Sequence, residues 1–367
     1  MTADRNPLRV LVIGPAPAAA ISRGGMATVA ALMAAQPDER IGVTVVPTYV
    51  DGSRPVKLLV GVRGMLCASW LLLRGRAHVL HVNLAHGGSV IRKAVPLWAA
   101  RLAGVPAVVH GHSYDFGGWF DRLPAPAQAL VRRMLVADRW VVLGQRHVGE
   151  YAERLRLQRD RISVLHNAVA IPDAPVDQAG ADRVHAVALG RLGIRKGSYD
   201  IVTAVGALDE TIRGRLCVTL AGDGDVDAVR AAVADAGLAG SIHVTGWLDP
   251  ADRDALLGAA HVFLLPSRDE GLPMALLEAM ARGLAPVTTP VGSIAEVVSD
   301  GSSGLVVRPG APHEIAEALT ALVTDAGLRA RLGNAARQRA ADFALPRWHE
   351  SLAGLWRDLA RRDRINV

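Results

Sequence analysis

Cysteine is almost absent from this sequence, which contains only Cys67 and Cys217, each within an apolar stretch. Two isolated cysteines exclude a disulfide-stapled scaffold and a cysteine-based zinc site, and they are typical of proteins in a reducing compartment. The first residues lack the basic region and the long apolar region of a signal peptide. We therefore expect a cytoplasmic protein.

Long uncharged apolar runs are also missing. The nearest one, from Val56 to Leu73, contains Lys57 and Arg63, so we expect no transmembrane helix. In an α/β protein such a segment is typically a crossover helix between strands. A helix lying on a membrane surface is the alternative.

Acidic side chains are scarce in the first part of the chain. Residues 1–165 contain 21 basic and 10 acidic side chains (+11), whereas residues 166–367 contain 20 and 25 (−5). This asymmetry favours an anionic partner, either a phosphate-bearing acceptor or the inner face of the cell membrane. Nucleic acid is disfavoured because the basic residues are scattered and aromatic residues are only 4% of the chain.

Short apolar runs alternate with helical segments along nearly the whole chain, a pattern typical of doubly wound parallel sheets. The predicted strands are 8–13, 43–46, 79–84, 107–110, 140–143, 162–165, 184–190, 216–221, 242–245, 261–265, 286–289 and 305–307. The alternation stops over residues 169–183, which we interpret as a linker. The chain, 367 residues long, is therefore predicted to form two α/β domains, residues 1–168 and 184–345.

The segment Pro266 to Gly283 is the most informative stretch. A buried strand ends there in a polar loop, Pro273 suits the start of a helix, and Gly283 suits its end. Glu270 lies in the loop and Glu278 in the helix. A strand that leads through a loop to a helix N-terminus is a common ligand-binding arrangement at the carboxyl end of a parallel sheet.

A second segment, Gly190 to Gly197, follows another predicted strand and contains Arg191, Arg195 and Lys196. Lys196 is informative because the chain has only three lysines. Cations at such a loop suit a diphosphate leaving group, on which negative charge develops as a bond breaks. Arg195 is equally well explained as a solvated surface charge.

These two segments resemble the signature of glycosyltransferase family 4 (group 1), retaining nucleotide-sugar-dependent enzymes of GT-B fold. The resemblance implies two doubly wound Rossmann-like domains facing a central cleft, with residues from about 346 to 367 packing back on the first domain. It implies that Glu270 faces the donor sugar, that Glu278 binds the ribose, and that Arg191 and Lys196 hold the diphosphate. It also implies catalysis without a metal ion or any other cofactor.

The remaining candidates follow from the same resemblance. Further donor-binding candidates are Gly24, Gly25, Gly222, Trp247, Leu248, Gly271, Leu272 and Pro273. His112 matches a histidine placed against the donor sugar, with His110 as the second choice. Acceptor-side candidates are His110, Ser113, Asp115, Arg92 and Lys93. The acidic pair Asp223 and Asp225 is interpreted as a turn and not as a metal site.

The expected activity is transfer of a sugar from a UDP- or GDP-linked donor to a hydroxyl group of a saccharide, preferably lipid-linked, as in surface-polysaccharide synthesis. Two alternatives remain open: a UDP-sugar 2-epimerase, which shares the architecture, and a non-catalytic nucleotide-sugar-binding subunit. A nicotinamide dehydrogenase is disfavoured because the G-x-G-x-x-G pattern is missing.

Overall fold

The computed structural model describes residues 7–17, 22, 24–178 and 183–363. The chain divides into two compact units. Unit 1 comprises Met1–Asn167 and Pro346–Val367, and unit 2 comprises Ala168–Leu345.

Unit 1 is a six-stranded parallel sheet with helices between its strands. Its elements are β1 (Leu8–Pro15), α1 (Gly25–Ala34), β2 (Ile41–Tyr49), α2 (Arg54–Leu73), β3 (Val79–Leu84), α3 (Gly88–Leu102), β4 (Ala107–Gly111), α4 (Phe116–Asp121), α5 (Ala125–Met134), β5 (Arg139–Val142), α6 (Gln145–Leu155) and β6 (Ile162–Val164). The strand order is β2-β1-β3-β4-β5-β6. The carboxyl ends of β1, β3 and β4 are therefore neighbours at one edge of the sheet.

Unit 2 repeats this architecture with a second six-stranded parallel sheet. Its elements are β7 (Val184–Leu189), α7 (Ser198–Gly206), α8 (Glu210–Gly214), β8 (Leu216–Ala221), α9 (Val226–Asp235), β9 (Ile242–Thr245), α10 (Pro250–Gly258), β10 (Val262–Leu265), α11 (Met274–Ala281), β11 (Ala285–Thr288), β12 (Leu305–Val306), α12 (Pro312–Thr324) and α13 (Ala326–Ala340). The order is β12-β11-β10-β7-β8-β9, which places β7 between β10 and β8. Two doubly wound α/β units confirm the predicted fold class.

Each predicted apolar run lies on a strand, with bounds that differ by at most a few residues. The runs are continuous and not alternating because helices cover both faces of each sheet, so that all residues of β3, β4, β10 and β11 are buried. Two apolar cores result, one in each unit.

The final helix, α14 (Leu345–Asp363), packs against the sheet and first helix of unit 1. The indole Nε1 of Trp356 donates to Nδ1 of His81 at 3.0 Å, and Nε2 of His349 lies 2.8 Å from the carbonyl oxygen of Leu32. Trp356 is fully buried. The end of the chain therefore completes the core of the unit that contains its beginning.

The segment predicted as a linker is part of unit 2 over its described residues. Gln178 is buried there, and its Nε2 donates to the carbonyl oxygens of Gly283 at 2.8 Å and His261 at 3.1 Å. Arg329 donates in turn to the carbonyl oxygen of Gln178 at 2.9 Å. Prolines and acidic residues give this segment no regular apolar pattern, which is why the sequence indicated a linker. The side-chain amide of Gln178 nevertheless binds the segment to unit 2. Residues 179–182 lie outside the described residues.

Helix α2 is long and apolar enough to cross a membrane by length and composition alone, the one such helix in the described part of the chain. It connects β2 to β3 as a crossover helix, as its sequence predicted. Only 22% of its most apolar window is buried within the protein.

Candidate functional site

The first group of candidate residues lies at the carboxyl edge of the sheet in unit 2. Because β7 lies between β10 and β8, the loops that follow these three strands are neighbours. A Cβ atom at Gly197 would lie 2.4 Å from the carbonyl oxygen of Pro266, and one at Gly222 would lie 1.6 Å from that of Gly190. Both glycines also have positive φ, 72° and 152°. Only glycine permits these backbones to approach so closely.

Lys196 and Glu270 meet at this edge. The ammonium Nζ of Lys196 lies 2.5 Å from Oε1 of Glu270, and the hydroxyl of Ser267 donates to the same oxygen at 2.8 Å. Glu270 is only 6% exposed. A carboxylate that is buried, paired and hydrogen-bonded has a fixed orientation, which suits the recognition of a sugar hydroxyl.

The two arginines of the same loop differ in their surroundings. Nη1 of Arg195 donates to the carbonyl oxygen of Asp269 at 2.9 Å and lies 3.8 Å from Oε2 of Glu270. Arg195 is therefore part of the loop structure and not only a solvated charge. Arg191 is exposed and has no hydrogen-bond or ion-pair partner among the described residues. Its guanidinium remains available to an anion.

Glu278 lies on α11, which begins immediately after Pro273 and is followed by Arg282 and by Gly283 with φ 79°. Its carboxylate is 8% exposed and lies 3.5 Å from Nη1 of Arg253 on α10. Burial raises the pKa of Glu278, and the positive charges of Arg253 and Arg282 oppose that rise. These arginines favour the ionised carboxylate, the form that accepts hydrogen bonds from ribose hydroxyls.

The other donor-side candidates surround these residues. The backbone N–H of Gly222 donates to the carbonyl oxygen of Gly246 at 3.1 Å, so the loop that carries Trp247 and Leu248 lies beside the glycine turn. Trp247 is 38% exposed and offers a ring surface for stacking. Gly271, Leu272 and Pro273 lead from Glu270 into α11, and the side chain of Leu272 is buried.

The acidic pair after β8 has the structural role expected of a turn. The carbonyl oxygen of Asp223 accepts from the N–H of Leu192 at 2.7 Å, and the N–H of Asp225 donates to the carbonyl oxygen of Leu192 at 3.1 Å. Asp225 is the N-cap residue of α9. Within the described residues there is no cluster of His, Cys, Asp and Glu side chains that could hold a metal ion.

The second group of candidates lies in unit 1, at the ends of β3 and β4. Nε2 of His112 lies 3.1 Å from Oδ1 of Asn83, and the ring of His112 packs at a tilt against that of His110 with centroids 4.1 Å apart. Burial lowers the pKa of His112 to about 3. Because Oδ1 of Asn83 only accepts, the neutral ring carries its hydrogen on Nε2 and leaves Nδ1 as an acceptor. His110 is fully buried and contacts the ring of His112.

The acceptor-side candidates of unit 1 divide into two sets. The hydroxyl of Ser113 lies 2.6 Å from Nδ1 of His86, and Asp115 forms an ion pair with Arg122 at 2.7 Å. These residues are at the carboxyl end of β4 and the start of α4.

The basic pair on α3 is placed differently. The guanidinium of Arg92 lies over the ring of Tyr49, 5.5 Å from its centroid, whereas Lys93 is 2% exposed and its ammonium contacts the hydroxyl of Thr48. Burial lowers the pKa of Lys93 well below its usual value. Lys93 was expected on the acceptor side, but its ammonium binds the end of β2 and is not presented to solvent.

Gly24 and Gly25 start helix α1, as expected for a glycine pair before a helix. Gly24 is the N-cap residue with φ 95°, and its carbonyl oxygen accepts from the N–H of Ala27 at 3.1 Å. Among the described residues, no atom beyond the chain neighbours of Gly24 lies within 4 Å of the position that its Cβ would take.

Sequence reasoning missed three residues that hold the candidates in place: Ser267, Arg253 and Asn83. Arg253 and Asn83 are distant in sequence from the residues that they contact, and Ser267 is a residue type that is common in loops. A signal existed for Ser267, which lies three residues before Glu270 at the start of the polar loop. Arg253 and Asn83 were not identifiable from sequence, because only the packing of α10 on α11 and of β3 on β4 brings them to their partners.

Parts of the chain are similar to known proteins. Residues 177–339, which lie in unit 2, match the family model described as "Glycosyl transferases group 1". Alpha-D-kanosaminyltransferase of Streptomyces kanamyceticus is 28% identical over 293 residues, which are 74% of this chain and 75% of that protein. Alpha-maltose-1-phosphate synthase of Mycobacterium tuberculosis is 37% identical over 167 residues, 43% of each chain.

Among solved structures, HepE of Anabaena in complex with UDP superposes with a TM-score of 0.74. The superposition covers 95% of this chain and all of that one, at 16% identity. At this level of identity the likeness establishes the fold, two doubly wound units in the GT-B architecture.

Proposed function

We propose that this chain is a group 1 glycosyltransferase that transfers a sugar from a UDP- or GDP-linked donor to a hydroxyl group of a lipid-linked saccharide, with retention of configuration. The observation that carries this proposal is the arrangement of Arg191, Lys196 and Glu270 at one edge of unit 2. It combines cations for a diphosphate with an oriented carboxylate for a sugar.

The donor is assigned to unit 2. Arg191 and Lys196 would bind the diphosphate, Glu278 the ribose and Trp247 the base. HepE, which has the same fold, is described in complexes with UDP and with UDP-glucose, and this supports a uridine nucleotide. The glycines at 197 and 222 let the loop backbones lie close together at this edge of the sheet, where we place the phosphates.

The reaction breaks the bond between the anomeric carbon and the diphosphate oxygen, and it forms a bond from that carbon to the acceptor oxygen on the same face. The acceptor hydroxyl loses its proton to the departing phosphate oxygen, so the enzyme supplies no separate base. Arg191 and Lys196 stabilise the charge that develops on the diphosphate. We propose that no metal ion is required, because these two side chains supply the positive charge that compensates the diphosphate.

In unit 1 we assign His112 to a hydroxyl of the transferred sugar. Its Nδ1 is an acceptor while Asn83 fixes the ring. Ser113, Asp115 and Arg92 are assigned to the acceptor side. A saccharide on a lipid carrier is the preferred acceptor because the first 165 residues carry a net charge of +11, which suits the phosphates of such carriers.

The experiment has two steps. First, the melting temperature is measured with UDP, GDP, ADP and their sugar conjugates, with EDTA and then with magnesium; one nucleotide should stabilise the protein without metal. Second, the slow hydrolysis of that sugar nucleotide is followed by NMR, in which water replaces the acceptor. Release of the sugar first as the donor's own anomer supports retention.

Three results would contradict the proposal. Strict dependence on magnesium would exclude the metal-independent mechanism, and the opposite anomer would exclude retention. Conversion of the sugar nucleotide without any acceptor and with inversion at C2 would identify a 2-epimerase.

A further inference from the structure

Helix α2 turns its large apolar side chains outward. Five of its apolar side chains are each more than half exposed: Leu58, Leu59, Leu66, Trp70 and Leu73. Its buried residues are Gly61, Gly64, Ala68 and Leu72. A Cβ atom at Gly64 would lie 2.1 Å from the carbonyl oxygen of Pro47, so the helix is seated closely on the end of β2 through small residues. An ordinary surface helix shows the reverse pattern, with large apolar residues against the core.

Helix α3 packs beside α2 and extends the same surface. Its exposed apolar residues are Ile91, Val95, Trp98 and Leu102, with exposed fractions from 43% to 78%. Their spacing of four, three and four residues places them on one side of the helix. We call these nine residues of α2 and α3 the apolar face. Many exposed apolar side chains on two packed helices indicate a binding site, unlike single exposed leucines.

The charged side chains of the segment that forms α2 and α3 are all basic. From residue 52 to residue 114 the sequence contains eight Lys and Arg residues and no Asp or Glu. Arg74 lies over the ring of Trp70, 5.7 Å from its centroid, and Arg101 lies over that of Trp98 at 5.9 Å. Arg63 and Arg76 are also exposed. Trp and Arg side chains with an apolar body and a polar tip suit the boundary between hydrocarbon and water.

We propose that the apolar face of α2 and α3 binds the surface of an anionic lipid bilayer. The bilayer supplies hydrocarbon for the leucines and tryptophans and anionic headgroups for the arginines, and these two contributions reinforce each other. A second copy of the chain fits less well, because a twofold contact would place cation against cation with no carboxylate on either helix.

The mode of binding follows from the packing of α2. Gly61 and Gly64 let α2 pack closely on the rest of unit 1. The helix would therefore lie flat on the membrane surface and would not cross the bilayer. Helix α3 starts at Gly88, just after β3, whose Asn83 contacts His112. Binding therefore brings the acceptor side of unit 1 close to the membrane. That consequence rests on the proposed lipid-linked acceptor, whereas the binding itself does not.

The test is flotation of the full chain with phosphatidylcholine vesicles, with and without phosphatidylglycerol. We expect binding to the anionic vesicles that weakens as salt is raised. Leu66→Glu and Trp70→Glu should each lower the partition coefficient on the order of tenfold or more, because each removes a large apolar group from the hydrocarbon. Leu66→Met should bind like the unchanged protein, and so should Arg331→Gln, which removes an exposed arginine from unit 2.

A second measurement uses Cys67, which is exposed on α2. With Cys217→Ala as background, a polarity-sensitive dye on Cys67 should shift its emission to shorter wavelength when anionic vesicles are added. Because Leu66 and Trp70 are exposed, the variants should keep the melting temperature of the unchanged protein and its stabilisation by nucleotide.

Three outcomes would overturn the proposal. The first is the absence of vesicle binding by a monomeric protein. The second is vesicle binding that Leu66→Glu and Trp70→Glu leave intact. The third is a dimer in solution that Leu66→Glu separates, without affinity for vesicles, which would assign the apolar face to a second copy. Loss of nucleotide binding with intact vesicle binding would count only against the proposed function.

Discussion

Lys196 and Glu270 form an ion pair with Nζ and Oε1 2.5 Å apart, although 74 positions separate them in the chain. They meet because β7 and β10 are adjacent in the sheet, so the loops that follow these strands lie side by side. Ser267 donates to the same carboxylate oxygen and fixes its position. The carboxylate therefore holds the Lys196 ammonium in place, whereas Arg191 has no ion-pair partner among the described residues.

Replacement of Lys196 by alanine should lower kcat of the donor reaction by about 100-fold to 1000-fold, because a charge aimed at the leaving diphosphate is lost. The donor KM should change less. Steady-state kinetics with the preferred sugar nucleotide measure both. Lys57→Ala, which removes a lysine from α2, is the matched control and should leave both constants unchanged. Equal kcat values for the two variants would remove Lys196 from the mechanism.

Glu278→Ala should raise the donor KM and weaken nucleotide binding by one to two orders of magnitude, because a buried carboxylate that binds the ribose is worth about 1.5–3 kcal/mol per hydrogen bond. Titration calorimetry with the nucleotide measures the affinity directly. Glu278→Gln keeps the size of the side chain and should lose less. Unchanged affinity in the alanine variant would refute the ribose assignment.

Arg253→Ala should change the pH dependence of nucleotide binding. Burial raises the pKa of Glu278 and Arg253 opposes that rise, so the variant has a still higher pKa. The ionised carboxylate accepts the hydrogen bonds, so nucleotide affinity falls as Glu278 becomes protonated. As pH is lowered, this fall should begin at a higher pH in the variant than in the unchanged protein. Binding curves of both proteins between pH 5 and 8 provide the test. Superimposable curves would show that Arg253 does not act on Glu278.

Gly292→Ala should displace the loop that contains Glu270. Gly292 has φ 57°, and a Cβ there would lie 2.0 Å from the carbonyl oxygen of Glu270. Gly301 has a similar φ of 65°, but no atom of the described residues beyond its chain neighbours lies within 4 Å of that position. Gly301→Ala should therefore cost only backbone strain, about 1 kcal/mol of unfolding free energy, whereas Gly292→Ala should cost more and also reduce activity. Urea unfolding and kinetics of both variants separate strain from displacement.

Unit 1 should lose stability in mild acid. Burial lowers the pKa of His81 and His112 to about 3 from the usual value near 6.5. Below pH 6.5 the unfolded chain binds protons that the folded chain does not, so stability is lost as pH falls from 6.5 towards 3. Each histidine contributes a slope of about 1.4 kcal/mol per pH unit.

Urea unfolding between pH 7 and pH 4.5 measures that slope. His112→Gln should reduce it by about the contribution of one histidine, whereas His313→Gln, at an exposed position of unit 2, should not. A slope in His112→Gln equal to that of the unchanged protein would show that this ring is not the source of the acid sensitivity.

The pairing of Arg253 with Glu278 and of Asn83 with His112 shows where prediction from sequence stops. Glu278 and His112 were identifiable because each stands in a recognisable segment after a strand. Their partners lie on other elements, and no local pattern indicates them. The burial of Lys93 was missed for a related reason, since a lysine beside an exposed helix start has no local sign that its ammonium will contact Thr48.

The sequence by itself determined the two α/β units, the strands and the main donor-side residues. Continuous apolar runs indicate strands of a sheet that is covered on both faces. The glycines, prolines and charged residues that follow these runs mark the loops at the ends of the strands. Only the tertiary structure decided which loops are neighbours, which charges pair and which side of α2 faces outward. Those relations depend on strand order and on close packing at small residues such as Gly64, Gly197 and Gly222. Both involve contacts between residues that are far apart in the chain.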